Sequence, residues 1–409
     1  MMDTYIKRHA EGVLKKAVKT FGAVLVTGAR QTGKTTLLTE GISGYRYVTL
    51  DDPIKLKSAL NEGSTFFEEN PPPVIIDEIQ YAPGLFPYIK MTVDKTHGKG
   101  LFLMSGSQQF QMMKNVSESL AGRIAIVTLS GLSLREIDRI NFMEPFLPED
   151  TYFKARTKKL VSHTYDELWV HIHRGSMPAL YGVPSTDWEL FYSTYVKTYI
   201  ERDVRDLSQV RDEQRFLAFM TIVAGRTGQL LNLSSIAQDT GISVPTADRW
   251  LSILITSNLV YLLRPFHINT SKRMVKAPKL YFLDTGLSSY LTQWASPQVL
   301  RNGAMAGPVF ETFVVSEIIK SYYNSGKEPP VYFYRDRDGK EIDVLLWRNG
   351  KLYPLEIKKH ANPAKQDIAA FPVLDKITGF ERGSGGVICI YPDLTTMDGN
   401  DRVIPVWYL

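Results

Sequence analysis

Cysteine is nearly absent: Cys389 is the only one among 409 residues. That excludes an intrachain disulfide and a cysteine-ligated metal cluster, and it fits a reducing compartment. No apolar run is long enough to cross a bilayer. The first 20 residues mix charge with apolar side chains and contain no signal-peptide core, so the expected location is cytoplasmic, with no membrane partner. There is no internal repeat and no low-complexity tract. Local spacing offers no Ser–His–Asp or Cys–His triad. His171 and His173 stand two apart, a spacing that points helical side chains to different sides, and no carboxylate cluster accompanies them in the sequence. Excess charge of one sign is small as well. Lys and Arg number 48 against 43 Asp and Glu, a net charge of +5 that is compatible with nucleic acid without arguing for it.

What is present is an ordinary globular composition, 44% hydrophobic and 22% charged, in a chain long enough for two to four units. The expected fold class is α/β. Over residues 1–130, strand-like runs at 23–26, 45–50, 74–76, 101–104 and 124–129 alternate with helical patterns, as in a parallel sheet. Residues 131–225 read as a helical lid or connector. Residues 226–292 read as helix, turn, helix and β-hairpin, a winged-helix order in which Ser243 caps the second helix. That helix carries only Asp248 and Arg249 as charges, and the basic loop 271–276 stands where a wing would be. Residues 293–308 are rich in linker residues, and 293–409 read as a last unit, a helix followed by strands with a hairpin signal at Asn349-Gly350.

The most specific stretch is Gly28-Ala29-Arg30-Gln31-Thr32-Gly33-Lys34-Thr35, followed by Thr36 and set between a strand and a helix. In that setting, loop amides and a helix N-terminus can hold phosphate oxygens. Lys34 can reach the β- and γ-phosphates and the Thr35 hydroxyl can ligate Mg²⁺. A second apolar strand ends in Asp77-Glu78. Asp77 would serve the metal, and Glu78 would act as general base on the attacking water, which points to hydrolysis of ATP. The polar end of the 101–104 strand offers Ser107 and Gln108 as γ-phosphate sensors, or only a turn. Arg123 is either a charge-stabilising arginine, in cis or across a homo-oligomer contact, or an exposed structural one. Asp51 and Asp52 lie at the ligand-binding edge or cap the next helix.

These stretches carry a resemblance. "TGARQTGKTTLL", "YVTLDDP", "VIIDEIQYAPGLFPYIK", "LFLMSGSQQF" and "LAGRIAIVTLSGLSLREI" resemble the AAA-type P-loop ATPase domain of a large prokaryotic family. "YIERDVRDL", "KLYFLDTGL" and "GKEIDVLL…LEIKKH" resemble the C-terminal domain with which that family pairs its ATPase.

A second constellation lies downstream. Glu341 and Asp343 share one strand face, and Glu356 and Lys358 share a face of the next strand. Asp343 and Glu356, with Glu311 from the preceding helix, would bind Mg²⁺ or Mn²⁺, and Lys358 would orient or activate water. The arrangement resembles the PD-(D/E)xK nuclease fold, with Ile342 where that pattern has proline; Gln366 is a further, weaker assistant. The alternatives are a charged solvent-facing hairpin or a nuclease fold that binds without cutting. Two functions follow as expectations. One is an ATPase that drives a DNA-directed nuclease-like domain. The other is a non-nucleolytic ATP-dependent switch or scaffold whose C-terminal domain binds nucleic acid or a protein.

Overall fold

The computed structural model describes residues 5–106, 120–183, 186–199, 212–266, 277–336 and 339–409. The expected sensors Ser107 and Gln108, the basic loop 271–276 and most of the "YIERDVRDL" stretch lie outside the described residues.

The first sheet is built from β1 (Ala23–Thr27), β2 (Arg46–Thr49), β3 (Val74–Asp77), β4 (Phe102–Gly106) and β5 (Ile124–Thr128). Its order is β2-β3-β4-β1-β5, and every pair is parallel. β1, β3 and β4 are buried along their whole length, because helices cover both faces of a parallel sheet. β4 therefore separates the strand that feeds the phosphate loop from the strand that ends in Asp77. Both of those features stand at the carboxyl edge of the sheet, where ligands bind in such folds.

A smaller antiparallel sheet, in the order β6-β8-β7, comprises β6 (Gln229–Leu230), β7 (Val260–Leu263) and β8 (Lys279–Phe282). Two helices, Leu233–Thr240 and Val244–Thr256, precede β7. Gly241 ends the first helix in the left-handed region (φ 70°), and the Ser243 hydroxyl caps the second by accepting from Thr246 N–H.

The third sheet is mixed. It contains β9 (Val331–Arg335), β10 (Glu341–Arg348), β11 (Lys351–Ile357), β12 (Glu381–Arg382), β13 (Gly386–Cys389), β14 (Thr395–Asp398) and β15 (Asp401–Pro405). Its order is β14-β15-β13-β11-β10-β9, with β12 beside β11. The β10–β11 hairpin turns at Asn349-Gly350, both with positive φ (52° and 75°), as a tight two-residue turn requires. The helix Ala306–Tyr323 packs its apolar residues into the core beside this sheet.

The cores divide the chain differently from the expected boundaries. Phe146, Tyr152, Leu168 and Trp169 join the C-terminal core with Phe310, Leu355 and Trp407. Tyr192, Tyr195 and Phe216 join the middle core with Ala247, Trp250 and Leu287. Residues 131–225 are thus split between two cores instead of forming one connector. The first half is held by the end of the chain: Tyr152 OH and Arg156 Nη2 donate to the carbonyls of Tyr408 and Trp407, each at 2.7 Å. The expected linker at 293–308 contains a helix, Pro297–Asn302, whose Leu300 is fully buried.

Candidate functional site

The phosphate loop begins where β1 ends. Gly28 has φ 151°, and a Cβ there would lie 2.1 Å from the Leu129 carbonyl, so no side chain fits at the start of the loop. Gly33 (φ 89°) turns the chain into the Lys34–Gly41 helix and leaves its first amides facing the loop. Lys34 Nζ donates to the Gly28 and Ala29 carbonyls at 3.1 and 2.9 Å, which holds the ammonium over the loop. Thr32 Oγ1 closes the loop onto the Ala29 carbonyl at 2.9 Å.

The loop meets the acidic strand end directly. Thr35 Oγ1 donates to both carboxylate oxygens of Asp77 at 3.0 Å. Tyr47 OH, from β2, donates to Asp77 Oδ2 at 2.9 Å. Ser105, on the intervening β4, donates to Asp77 Oδ1 and accepts from Glu78 N–H at 3.3 Å. Glu78 itself sits at φ 59°, an uncommon conformation for a glutamate, with Gln80 bonded to its carboxylate. Thr35 and Asp77 are hard oxygen donors placed side by side, a set that fits Mg²⁺. Burial comes first, then the hydrogen bond to Asp77 and its charge, in pushing the Tyr47 phenol up to about 12, so it stays a donor at neutral pH.

A cleft of about 1200 Å³ opens over this edge, larger than the ~300–1,000 Å³ usual for ligand pockets. Arg30, Lys34, Thr35, Thr36 and Glu78 line one wall, and Pro178, Thr186 and Thr198 face them from the middle unit. Arg30 reaches across to the Thr198 carbonyl at 3.1 Å.

Behind the loop is a buried network that the sequence reading did not find. Arg8 Nη1 donates to the Thr32 carbonyl at 2.7 Å, Nη2 to Ser130 O at 2.7 Å, and Nε pairs with Glu136 at 3.0 Å. Burial alone would raise the Glu136 carboxyl. Arg8, His9 and the Ser133 and His9 amides instead hold it down at about 2. Glu136 also accepts from Asn324 Nδ2 at 3.3 Å, so the same carboxylate touches the C-terminal helix.

The other predicted residues are placed as follows. Asp52 caps the Pro53–Asn61 helix, accepting from Ile54 N–H at 2.8 Å. Arg123 immediately precedes β5, and its carbonyl accepts from Ala23 N–H at 3.2 Å, at the edge of the sheet opposite the loop. Its guanidinium pairs with Asp94. The fold does not bring Arg123 to the nucleotide edge of its own subunit, because a residue before a parallel strand lies at the strand's amino end.

The hairpin does gather the C-terminal carboxylates. Asp343 Oδ2 accepts from Ile357 N–H at 3.0 Å, and Glu356 pairs with Lys358 at 3.0 Å. Burial first, and then the charge of Asp343, push Glu356 up to about 8, against the pull of Lys358. Glu311 is raised by burial too.

The unexpected member is Lys279 on β8. Its ammonium is buried and lies 2.7 Å from Glu341, 3.2 Å from Glu311 and 3.5 Å from Asp343. Burial opposes its charge, but these carboxylates outweigh that and hold its pKa above the ordinary lysine value. Tyr281, two residues on and on the same strand face, donates to Glu311 at 2.6 Å. The oxygen donors suit a hard cation. The cluster nevertheless fits one poorly, since a tethered cation already compensates it and Glu356 favours its protonated form at neutral pH. Lys279 and Tyr281 open the "KLYFLDTGL" stretch; their period-two spacing was visible, but their destination was not.

Residues 20–138 match the AAA domain family. Residues 165–298 and 306–409 match two domains of unknown function, DUF8612 and DUF4143. Uncharacterized proteins of Mycobacterium tuberculosis and Mycobacterium bovis are each 28% identical over 370 residues, covering 88% of this chain and 75% of theirs. Among solved structures, a Walker-type ATPase of Pyrococcus abyssi aligns over 70% of this chain and 96% of its own, at 15% identity and a TM-score of 0.44. A signal transduction ATPase with numerous domains from Pyrococcus horikoshii aligns over 79% and 48%, at 13% identity and a TM-score of 0.23. Among the described residues, no helix is long and apolar enough to cross a membrane. The AAA-domain match spans the whole first sheet, both halves of the nucleotide site included, and supports an ATP-binding P-loop ATPase with its usual Mg²⁺ in the N-terminal third of the chain.

Proposed function

We propose that the chain is an ATP-hydrolysing switch whose turnover controls a non-nucleolytic C-terminal module. The observation that carries the ATPase half is the Thr35–Asp77 contact, which joins the phosphate loop to the acidic strand end at one edge of a parallel sheet. Lys34 leaves its loop carbonyls to hold the β- and γ-phosphate oxygens, and the amides of Gly33, Lys34 and Thr35 cradle the phosphates. Glu78 orients the attacking water for in-line displacement at the γ-phosphate. Thr35 and Asp77 would hold Mg²⁺, which neutralises charge on the phosphates. Arg30, bonded to Thr198, is placed to sense the occupied site and pass its state to the middle unit.

For the C-terminal module, two readings compete. Metal-dependent DNA cleavage would use Asp343, Glu356 and Lys358, with Glu311. Binding of nucleic acid or a protein without cleavage is favoured by Lys279, whose ammonium shares the carboxylates a metal would need. DNA remains the nucleic acid of choice for a winged helix, although the Val244–Thr256 helix offers only the opposed charges of Asp248 and Arg249.

The test is a pair of assays on the full chain. ATP hydrolysis with Mg²⁺ should be lost in Lys34→Ala; full activity in that variant refutes the nucleotide assignment. Plasmid and linear DNA with Mg²⁺ or Mn²⁺, with and without ATP, should stay intact in wild type. Cleavage that disappears in Asp343→Ala would establish the nuclease reading instead.

A further inference from the structure

Three ligand-bearing side chains distant in sequence meet beside the helix that carries His171. Asp138 caps the C-terminus of the Leu134–Ile137 helix, His163 precedes the Thr164 cap, and His171 lies on the Tyr165–Arg174 helix. A carboxylate oxygen of Asp138 and one ring nitrogen from each histidine all lie within 4.8 Å of one another. His163 Nε2 is 2.8 Å from Asp138 Oδ2, and these two side chains are only 8% and 9% exposed. The two imidazole rings meet edge to face, 5.1 Å between centroids.

The hydrogen bond between them accounts for His163 and Asp138. It does not account for His171, whose Nδ1 is buried and has no hydrogen-bond partner. Buried polar atoms are nearly always satisfied, so an unpaired imidazole nitrogen beside a second imidazole and a carboxylate needs a reason. The ring is packed against Tyr181, 6.2 Å away and nearly parallel, which fills one side and leaves the His163–Asp138 side as its polar contact. His173, its neighbour on the helix, is different: its Nε2 meets the Trp294 carbonyl at 2.7 Å, and its ring stacks on Trp188.

We propose that Asp138, His163 and His171 form a binding site for a divalent transition cation of the zinc class. Two imidazoles and one carboxylate are a donor set that such ions take, whereas magnesium and calcium prefer oxygen alone. Bonds of about 2.0–2.2 Å put neighbouring tetrahedral ligands roughly 3.3–3.6 Å apart, so side-chain rotations that open the 2.8 Å His163–Asp138 edge slightly and bring His171 closer by no more than roughly 1.5 Å suffice. Glu167 lies one helical turn before His171, on the same side of the helix, and water would complete the coordination. Glu167 is engaged with Thr164 at the helix cap. The bound ion would staple the Leu134–Ile137 helix, and through it Glu136 and the Arg8 that supports the phosphate loop, to the Tyr165–Arg174 helix of the C-terminal core.

The test uses the full chain, stripped with a chelator and titrated with Zn²⁺ against a chromophoric competitor, and separately with Co²⁺. Wild type should take up about one tightly held Zn²⁺ and give a visible Co²⁺ spectrum of nitrogen-ligated, near-tetrahedral type. His171→Asn and Asp138→Asn should each weaken binding by at least about tenfold, and His173→Asn should leave it unchanged. Far-UV circular dichroism checks that each variant is folded. The Co²⁺ spectrum of wild type is decisive by itself if one is not. No tight Zn²⁺ and no such spectrum in wild type, or equal binding in folded His171→Asn, overturns the proposal.

Discussion

Replacing Lys279 with methionine keeps the length of the side chain and removes the charge that three carboxylates surround. At pH 8, Glu311, Glu341 and Asp343 would be left facing one another without their shared cation. Removing one partner of a buried ion pair costs about 3–5 kcal/mol, against about 0–1 kcal/mol for an exposed pair. The position belongs to the first class, since the Lys279 side chain is 6% exposed. The sign with pH follows from the titrating groups. Lys279 has its pKa raised, so it stays charged throughout the neutral range. In the variant, the carboxylates take up protons to relieve their repulsion, so the folded state binds more protons than the unfolded state and its stability falls as pH rises. The Lys279→Met deficit should therefore be largest near pH 8 and should shrink toward pH 4, where carboxylates protonate in both states. Urea unfolding of both proteins at several pH values, followed by circular dichroism and tryptophan fluorescence, reads this directly. Mg²⁺ or Mn²⁺ should restore part of the lost stability in the variant and none in wild type. A deficit under about 1 kcal/mol at pH 8 that does not change with pH would refute the internal counter-ion.

Glu78→Gln should retain ATP binding and lose about 10²–10⁴-fold in turnover, as expected for removal of a general base; a steady-state phosphate-release assay with a nucleotide-binding control checks both. Glu136→Gln should destabilise the protein by about 3–5 kcal/mol at pH 7, because Arg8 is left buried and unpaired. Glu136 has a depressed pKa of about 2, so its contribution is present above the unfolded value and lost as pH falls; wild type and variant should converge between pH 4.5 and 2 in chemical denaturation. Glu356 shows the opposite sign. With its pKa raised from 4.5 to about 8, the wild type loses stability as pH rises across that window, so Glu356→Gln should gain on wild type from pH 5 to pH 8. A constant difference across that range would show that Glu356 is already ionised at pH 5.

The nucleotide site was legible because its chemistry is local. Gly28 through Thr35 is one continuous stretch of loop and first helical residues, and an apolar strand ending in Asp77-Glu78 reads as such from four residues. The partners of Asp77 were not legible. Tyr47 and Ser105 reach it only because β2 and β4 flank β3, and strand order is not written in any one strand. Arg123 was left open between two roles, and only the sheet shows that, before β5, it lies at the amino edge beside Asp94. The connector at 131–225 was read from amphipathic helical patterning, which does not say that Tyr152 and Arg156 fasten to the last residues of the chain.

The sequence alone determined the phosphate loop, the acidic strand end at Asp77-Glu78 and the pairing of Glu341 with Asp343 and of Glu356 with Lys358 on strand faces, because period two on a strand and a glycine-rich turn before a helix are dictated by backbone geometry. Tertiary structure alone decided what those groups meet. It carried Lys279 from another sheet into the carboxylates and Arg8, from the stretch before the first helix, behind the loop. It also brought Asp138 and His163 to a histidine that its own helix leaves without a partner. Such meetings join residues tens or hundreds of positions apart, and buried charge makes them energetically large even though no local pattern records them.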